Sequence, residues 1–483
     1  MFQAVFYVVL FLVDLAVFAK IPSRNIRQTV LLLNSFALYL TWVPWFGGVL
    51  IASIIINFSI GKWLRRHQYW LPLLLGIVFN LGLLSVFKYI PELATFVSSD
   101  ALRRFSNLAL PLGISFWTFQ ALSYLFDLYS GEELDPSLFE FALYMVFFPV
   151  TISGPVCRLP EMLPQFRSQA TTSWSDVAQG LRRIAIGIFM MQLAKLLGQG
   201  IVGGDGIVSG FNPGKQWSGP DVWCLAFGYG LQLFFDFAGY THIAVGTAKA
   251  LGITVPENFD RPFTSTSPSM FWTRWHMSLS FWIRDYVFFP LATLRREVWW
   301  RNLALALSMV IFGLWHKATL LFLIWGCYHG ILLVLNRWLQ QLQRRLAWEA
   351  PPKLWTPLSW ITTAALISLG WIFFHASSTS QAGQMLSAIV SPAGYSTHFL
   401  SLSLYLLVAV LAGGYAVAVL VAGMLDRYDE STDAAILQSG TVAALSRWRW
   451  FWIPSLYVLA LLFVFLITHG QQAGAGQLMY RQF

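Results

Sequence analysis

Apolar runs recur along almost the whole chain and are separated by short polar segments. Most of these runs are long enough to cross a hydrocarbon core of about 30 Å as helices. The pattern predicts an all-α, polytopic transmembrane helical bundle of about 11–13 helices. The predicted spans lie near residues 2–19, 29–58 (one long helix or two short ones), 70–90, 107–127, 138–154, 179–201, 221–238, 240–252, 302–315, 318–336, 356–375, 401–424 and 449–468.

The segment between Pro256 and Trp300 departs from this pattern, because Trp, Arg, His, Ser and Asp stand among its apolar residues. A polar segment at membrane depth persists only where it is buried in protein or lines a wet cavity. We therefore expect this segment to lie inside the bundle rather than to face lipid.

Composition supports a membrane protein and excludes other classes. Hydrophobic residues make up 57% of the 483 positions and charged residues 11%, which is far from the composition of a soluble domain. The net charge of +9 comes from basic residues in short loops, where anionic lipid headgroups explain them better than nucleic acid does. The three cysteines lack paired spacing and predict neither a disulfide framework nor a zinc site.

The charges around the first apolar run predict the orientation of the chain. Lys20, Arg24 and Arg27 follow this run, and no basic residue precedes it, which is the reverse of a secretory signal peptide. The positive-inside rule then places this loop in the cytoplasm and the N-terminus outside. We expect a multi-pass protein of the inner or plasma membrane.

Three of the eight histidines, His276, His316 and His329, fall within one Trp-rich stretch. Imidazole suits an apolar setting because it can be neutral there and still take a proton from a hydroxyl near neutral pH. The spacing does not favour a metal, since neither His316 nor His329 pairs at i, i+4 with another histidine or an acid. On position alone, each is either a catalytic group or a packed structural histidine.

Acids within apolar runs are the second group of candidates, because a charge at mid-bilayer costs at least about 2.5–3.5 kcal/mol. Asp14, Asp127, Glu140 and Asp236 qualify, either as catalytic groups or as hydrogen-bonding partners between helices. The sequence has no GxSxG elbow, phosphate loop or GxGxxG fingerprint, so we predict no bound ATP, NAD or other cofactor.

Five motifs carry a resemblance to a known family. They read LPLGISFWTFQALSYLFDLYSG (110–131), FFPVTISGPVCR (147–158), QLFFDFAGYTHIAVGTAKALGITVPENFDRPF (232–263), FWTRWHMSLSFWIRDYVFFPL (271–291) and FGLWHKATLLFLIWGCYHG (312–330). In order and spacing they resemble the membrane-bound O-acyltransferases, and within that family the membrane subunits of bacterial alginate O-acetyltransferases. The resemblance is strong over 100–335 and extends by helix pattern to the remainder, including C-terminal transmembrane helices in 356–483, so we expect a single integral-membrane domain over 1–483.

The resemblance implies a helical bundle around a core that is crossed by a tunnel, with the acyl donor on one side and the acceptor on the other. It also implies a catalytic role for His316, in the GLWHKA motif, and an assisting role for His276, which lies 40 residues upstream. Five further residues are candidates for substrate binding: Arg284, Asp285, Lys317, Asp236 and His329.

Three positions depart from the family pattern. Lys317 replaces a small residue next to the catalytic position, where it would meet a phosphate or thioester oxygen or point towards headgroups. His242 stands where the family often has an acid, and Ala292, Thr293 and Leu294 stand where a pair of glycines is usual. These changes do not alter the acyl-transfer chemistry that the resemblance implies. They leave the identity of the substrate undetermined.

The resemblance implies transfer of an acetyl group from cytoplasmic acetyl-CoA towards a hydroxyl of an extracytoplasmic partner protein or an alginate-like exopolysaccharide. Two alternatives remain at this level. One is D-alanyl transfer towards teichoic acid within the same family. The other is a channel or transporter whose histidines relay protons, although no internal repeat of the kind typical of transporters is apparent.

Overall fold

A computed structural model describes residues 2–93, 108–168, 171–201, 204–347 and 351–430. Over these residues the regular structure is helical, and the one β-pairing among them is an isolated antiparallel bridge between Phe259 and Trp275. This confirms the predicted all-α, polytopic bundle. The predicted span at 449–468 lies outside the described residues.

The helices up to residue 250 are numbered in chain order. They are α1 (Phe2–Lys20), α2 (Arg24–Leu40), α3 (Pro44–Arg66), α4 (Trp70–Leu84), α5 (Ile90–Leu93), α6 (Ile114–Tyr129), α7 (Leu138–Val146), α8 (Phe148–Thr151), α9 (Leu159–Arg167), α10 (Trp174–Gln199), α11 (Ile207–Gly210) and α12 (Gly219–Ala250). A π-helical segment, Ser85–Tyr89, connects α4 to α5.

The later helices begin with the short elements of the polar segment. They are α13 (Pro268–Trp272), α14 (Met277–Ile283), α15 (Phe289–Thr293), α16 (Val298–His316), α17 (Leu320–Arg345), α18 (Pro352–His375), α19 (Thr379–Val390) and α20 (Leu402–Glu430). A second π-helical segment, Arg284–Phe288, joins α14 to α15, and 3₁₀ turns occupy Pro262–Thr264 and Pro392–Tyr395.

Seven helices in the described part of the chain are long and apolar enough to cross a bilayer. Their bounds are Pro44–Arg66, Trp70–Tyr89, Gly219–Ala250, Val298–His316, Leu320–Arg345, Lys353–His375 and Leu402–Gly423. The shortest has 19 residues, or roughly 28 Å at 1.5 Å per residue, which matches the hydrocarbon thickness. The protein is therefore a multi-pass membrane protein.

Three predicted spans differ from the structure. The stretches 221–238 and 240–252 form the single helix α12, because neither Gly239 nor the polar residues after it interrupt the helical hydrogen bonds. The predicted span 138–154 breaks at Phe147 into α7 and α8. Pro149, at the start of α8, has no N–H with which to continue the hydrogen-bond ladder of α7.

The described residues form two compact units that alternate along the chain. The first unit takes in residues up to Ile184 together with Thr241–Asp260 and Trp275–Thr319. The second unit takes in Ala185–Tyr240, Arg261–Arg274 and the residues from Leu320 onward.

Small residues let helices pack closely within the first unit, where α6 lies against α3 and α4. A Cβ atom added to Gly61 would come within 2.3 Å of Tyr124, and one added to Gly76 would come within 2.3 Å of Leu125. Both sites leave room for no larger residue, as is typical of helix contacts in membranes. This packing forms one wall of the unit that holds His276 and His316.

Candidate active site

His316 is the last residue of α16 and is 7% exposed. Its ring stacks on that of Phe312, one turn earlier, with centroids 5.3 Å apart and an interplanar angle of 21°. The ring of Trp315 lies 4.7 Å away on another side. The apolar helix that ends here thus delivers an imidazole into an aromatic, water-poor environment.

His276 is 2% exposed and precedes α14 as its N-cap residue. Its φ of 45° lies in the left-handed region, which costs an L-residue other than glycine on the order of 1 kcal/mol. The helix therefore begins at Met277, and the strained residue before it carries the buried ring. Such strain persists only where surrounding contacts fix the conformation.

Asn258 supplies those contacts and is itself fully buried. Its carbonyl oxygen accepts the backbone N–H of Met277 at 2.9 Å, and its side-chain Oδ1 accepts the hydroxyl of Ser278 at 2.6 Å. Its Nδ2 donates to Thr241 Oγ1 at 3.2 Å. Asn258 therefore links the PENF motif, the end of α12 and the start of α14.

The side-chain Oδ1 of Asn258 also lies 3.3 Å from Nδ1 of His276. Because Oδ1 is an acceptor, a neutral His276 that bonds to it must carry its proton on Nδ1, which leaves the lone pair on Nε2. Ser278 completes the arrangement, since its hydroxyl oxygen accepts the backbone N–H of Val156 at 3.0 Å. Asn258 and Ser278 are candidate functional residues that were not predicted from the sequence.

Phe312 connects the two histidines. Its ring centroid lies 6.5 Å from that of His276 and 5.3 Å from that of His316. The structure thus brings the two predicted catalytic residues into one aromatic cluster of the first unit. The catalytic role of His316 and the assisting role of His276 remain predictions.

Lys88 is a third functional candidate that was not predicted from the sequence. Its Nζ lies 4.7 Å from the centroid of the Trp315 ring, next to His316, and 3.3 Å from Ser115 Oγ. The residue sits in the π-helical segment after α4, and π-bulges often mark functional sites. A lone lysine in an apolar run was the available sequence signal.

Arg284 and Asp285 form a direct ion pair, although the sequence analysis assumed none because neighbours on an α-helix do not face each other. Arg284 Nε lies 2.7 Å from Asp285 Oδ1. Both residues belong to the π-helical segment, whose wider turn changes side-chain directions. Arg158 Nη2 lies 2.7 Å from the other oxygen of Asp285, so the carboxylate holds two guanidinium groups.

Asp127 extends this cluster. Its Oδ1 accepts the hydroxyl of Tyr286 at 2.6 Å, and the guanidinium of Arg158 lies 5.0 Å from the centre of the Tyr286 ring. The side chain of Arg284 is about half exposed. The cluster therefore joins buried polar groups of the first unit to an accessible cation.

Lys317 is exposed and caps α16, with its backbone N–H 3.4 Å from the carbonyl of Gly313. Its backbone is extended, so the chain turns away from the helix directly after His316.

Asp236 and His329 belong to the second unit, on α12 and α17. Asp236 is 7% exposed and His329 is 1% exposed. The ring of His329 packs against Trp325 at 4.7 Å and Trp272 at 5.2 Å. The structure therefore groups five of the seven predicted site residues in the first unit and these two in the second.

Two other acids singled out by the sequence have structural roles. Asp14 is fully buried and accepts a hydrogen bond from Asn34 Nδ2 at 2.9 Å, which joins α1 to α2. Glu140 forms a capping box with Ser137 at the start of α7. Hydrogen bonds from Arg167, with help from Ser137 and against the effect of burial, lower the pKa of Glu140 to about 2. The described residues contain no cluster of three metal-ligating side chains.

Comparison with known proteins adds the family. The model of the membrane-bound O-acyltransferase family matches residues 92–379. The "Probable alginate O-acetylase" of Pseudomonas aeruginosa is 33% identical over 389 residues, which cover 77% of this chain and 71% of the relative. A peptidoglycan O-acetyltransferase of Helicobacter pylori is 30% identical over 448 residues, which cover 82% of each chain.

A third relative is named for the transfer of a different acyl group. The teichoic acid D-alanyltransferase of Streptococcus thermophilus is 34% identical over 241 residues, which cover 48% of this chain and 58% of the relative. The residues that match the family model include His276, His316 and Asn258. The candidate active site therefore lies within the part of the chain that is similar to the family. This chain belongs to the membrane-bound O-acyltransferase family and is an integral-membrane O-acyltransferase.

Proposed function

We propose that the protein moves an acetyl group from cytoplasmic acetyl-CoA to a hydroxyl of an extracytoplasmic partner protein or an envelope polysaccharide. The observation that carries the proposal is the pair of buried histidines around Phe312, one of them held in position by Asn258. Burial at the reacting centre keeps water from hydrolysing a thioester.

In this mechanism, His316 is the general base. It takes the proton of the acceptor hydroxyl as the oxygen attacks the thioester carbonyl carbon. The tetrahedral intermediate then expels the thiolate, the C–S bond breaks, and the proton passes from the imidazolium to the sulfur. The products are an acetyl ester and free coenzyme A, and the histidine returns to its neutral form.

His276 would orient the acceptor. With its proton on Nδ1 and directed at Asn258, its Nε2 would accept a hydrogen bond from a neighbouring O–H or N–H group of the acceptor, which leaves the proton of the attacking hydroxyl to His316. Polarisation of the thioester carbonyl by His276 would require the imidazolium form, because the neutral ring with its proton on Nδ1 has no proton to donate from Nε2. We therefore assign to His276 the positioning of the acceptor molecule beside His316.

The names of the relatives support a cell-envelope acceptor, since one is an alginate O-acetylase and another a peptidoglycan O-acetyltransferase. The polar cluster around Asp285 supplies cations for a donor that carries phosphates, through the half-exposed Arg284. Lys317, directly after the proposed base, is a second such cation. We propose that both contact the donor rather than the acceptor.

The test uses His316→Ala with labelled acetyl-CoA, and acetyl transfer to cell-surface polymer and to copurifying protein is measured. We expect a loss of about 10²- to 10⁴-fold, which is the usual contribution of a general base. The control is His67→Ala, which removes an exposed histidine beyond the end of α3. Transfer retained by the His316 variant would refute the assignment.

D-alanyl transfer is the alternative that a specific observation favours, because a teichoic acid D-alanyltransferase is among the relatives. A panel of donors separates the two: acetyl-CoA against a D-alanyl-loaded carrier protein. Turnover with the carrier protein alone would replace the acetyl proposal and leave the role of His316 in place.

A further inference from the structure

An open groove of about 510 Å³ lies along the C-terminal part of α3, within the first unit. Its walls include Ile55, Phe58, Ser59, Lys62 and Arg66 of α3 and Leu138, the first residue of α7. The α3 residues stand at i, i+3, i+4, i+7 and i+11, which places them on one face of the helix. Pockets that bind small molecules usually measure about 300–1,000 Å³, so the groove has room for a ligand of that class.

The groove changes from apolar to cationic along the helix. Ile55 and Phe58 form its apolar end, and Ile55 is 50% exposed. Lys62 and Arg66 form its cationic end, and both are exposed. The rise of the helix from Ile55 to Arg66 is roughly 16 Å at 1.5 Å per residue. A ligand that uses the whole groove must therefore be elongated, with an anionic group at one end and an apolar group at the other.

The groove lies at one end of a membrane-spanning helix. The 23 residues of α3 extend roughly 34 Å, slightly more than the hydrocarbon core of the bilayer. Lys62 and Arg66, in the last two turns, therefore reach the level of the headgroups, whereas Ile55 lies in the hydrocarbon. Trp63 is 40% exposed next to the two cations, and tryptophan is typical of the membrane–water interface. The groups along the groove thus follow the order of those in a phospholipid.

Lys62 and Arg66 carry positive charge that the described protein does not neutralise. Arg65, between them in sequence, forms an ion pair with Asp135. Neither Lys62 nor Arg66 has an ion-pair partner in the described part of the chain. The two cations are four residues apart, and like charges at this spacing on a helix repel each other. An anion bound between them would remove this repulsion, so charge complementarity favours an anionic occupant.

The connection between α2 and α3 indicates the side of the membrane on which the cations lie. α2 ends at Leu40 and α3 begins at Pro44, and a connection this short makes two helices antiparallel neighbours. The end of α3 is therefore on the same side as the start of α2, which the predicted orientation places in the cytoplasm. Anionic lipids of the cytoplasmic leaflet attract basic residues beside a membrane-spanning helix.

We propose that this groove binds one anionic phospholipid, with its phosphate between Lys62 and Arg66 and an acyl chain against Ile55 and Phe58. A phospholipid is favoured over a soluble phosphate ester because only the lipid contacts both ends of the groove. This inference does not depend on the proposed acetyl transfer.

The first experiment measures lipid binding by native mass spectrometry of the purified, delipidated protein in detergent. Phosphatidylglycerol and phosphatidylcholine with the same acyl chains are the two probes. We expect phosphatidylglycerol to bind at least about tenfold more tightly, because the choline group of the other lipid carries a positive charge that Lys62 and Arg66 repel. Equal affinities for the two lipids would overturn the proposal.

Lys62→Gln and Arg66→Gln test the two cations. Each variant should bind phosphatidylglycerol about tenfold more weakly than the wild type, as the loss of a charge-assisted hydrogen bond implies. Arg65→Gln is the matched control, because it removes the same charge from the same helical turn outside the groove, and it should bind as the wild type does. Equal losses in all three variants would show a general attraction of the helix end to anionic lipid and would overturn the proposal.

Ser59→Trp tests the groove itself without a change of charge. The side chain of Ser59 is exposed and lines the groove between its apolar and cationic ends, so an indole ring at this position would fill the groove. We expect binding of phosphatidylglycerol to fall at least about tenfold, with a melting temperature close to that of the wild type. Unchanged binding by the folded variant would contradict a lipid in the groove.

A competition experiment separates a lipid from a soluble phosphate ester. Glycerol phosphate carries the anionic group without acyl chains, so displacement of phosphatidylglycerol should need at least about a hundredfold more of it than of a second anionic phospholipid. Equal potency would show that the apolar end is not used and would overturn the assignment to a lipid. His316→Ala should bind phosphatidylglycerol normally, so failure of the acetyl-transfer mechanism and failure of the lipid site give different results.

Discussion

His276 and His329 are almost equally buried, at 2% and 1% exposure, yet their surroundings differ. His276 has a hydrogen-bond partner in Asn258, which is itself fixed by Ser278 and Thr241. Within the described residues, neither ring nitrogen of His329 has a hydrogen-bond partner.

The neighbours of His329 are aromatic or small. Trp272 and Trp325 enclose the ring, and a Cβ atom on Gly370 would lie 2.4 Å from its Nε2. Burial alone therefore does not identify a histidine of the active site. The imidazole of His276 is held in one tautomer, which fixes the nitrogen that can accept a hydrogen bond, whereas His329 is positioned by packing.

The largest expected effect is a difference in acetyl-transfer activity between a His276 variant and a His329 variant. His276→Ala should lower acetyl transfer by at least about 10²-fold, because the acceptor loses a group that positions it. His329→Phe, which nearly preserves the volume and has no ring nitrogens, should retain most of the activity. Acetyl transfer is measured with labelled donor on variants that have equal melting temperatures. Equal losses of activity in the two variants would contradict the distinction between His276 and His329.

Asn258→Ala tests whether the held tautomer matters. It removes the acceptor for Nδ1 and should cost about 1–3 kcal/mol in the transition state, or about tenfold to a hundredfold in kcat. The pH profile of kcat should shift as well, because the partner of the imidazole has gone. An unchanged profile with a lower melting temperature would reduce Asn258 to a structural residue.

Gly370→Ala tests the packing of His329. The added Cβ would approach the ring closely enough to force a shift, and overpacking of this kind costs about 1–3 kcal/mol of stability. Thermal unfolding of the purified protein measures the loss. His329→Ala in the same chain should restore part of the stability, and a purely additive double variant would argue against direct packing between the two.

The smallest effect concerns a buried acid with a full set of partners. Arg167 holds the pKa of Glu140 at about 2, below the usual value of about 4.3 for an unfolded chain. The ionised carboxylate therefore stabilises the fold above roughly pH 4.3, and this contribution is lost as the pH falls towards 2. Because Arg24 and Arg167 are more than a third exposed, we expect about 1 kcal/mol or less.

Glu140→Gln measures that contribution. Its melting temperature should lie below that of the wild type at pH 7, and the gap should narrow at pH 3. A gap that stays constant or widens on acidification would mean that the charge is not the source of the difference.

Apolar periodicity predicted the helical class and most helix positions, because membrane burial demands long apolar runs with internally satisfied backbone. It did not predict the continuity of α12 or the break at Phe147, which depend on single residues and on their neighbours in space. The motifs named His276 and His316 as candidates. They did not predict that Phe312 would lie against both rings, since its contact with His276 spans distant parts of the sequence.

Asn258 and Ser278 could not be recognised from one sequence, and the only sequence signal for Lys88 was its place in an apolar run. Each is an ordinary polar residue until the fold places it beside a histidine or its neighbour. The pair of Arg284 and Asp285 was missed for a different reason, because neighbours on a regular α-helix do not face each other, whereas the chain here forms a π-helical segment.

The left-handed backbone of His276 has a consequence for engineering. At a φ of 45° the backbone favours glycine, while the proposed chemistry requires an imidazole. The two demands can be separated at this position, because glycine would relieve the backbone and leave a vacancy of the shape of the lost ring. Soluble imidazole could then occupy the vacancy, which makes His276 the natural place to render this enzyme dependent on an added small molecule.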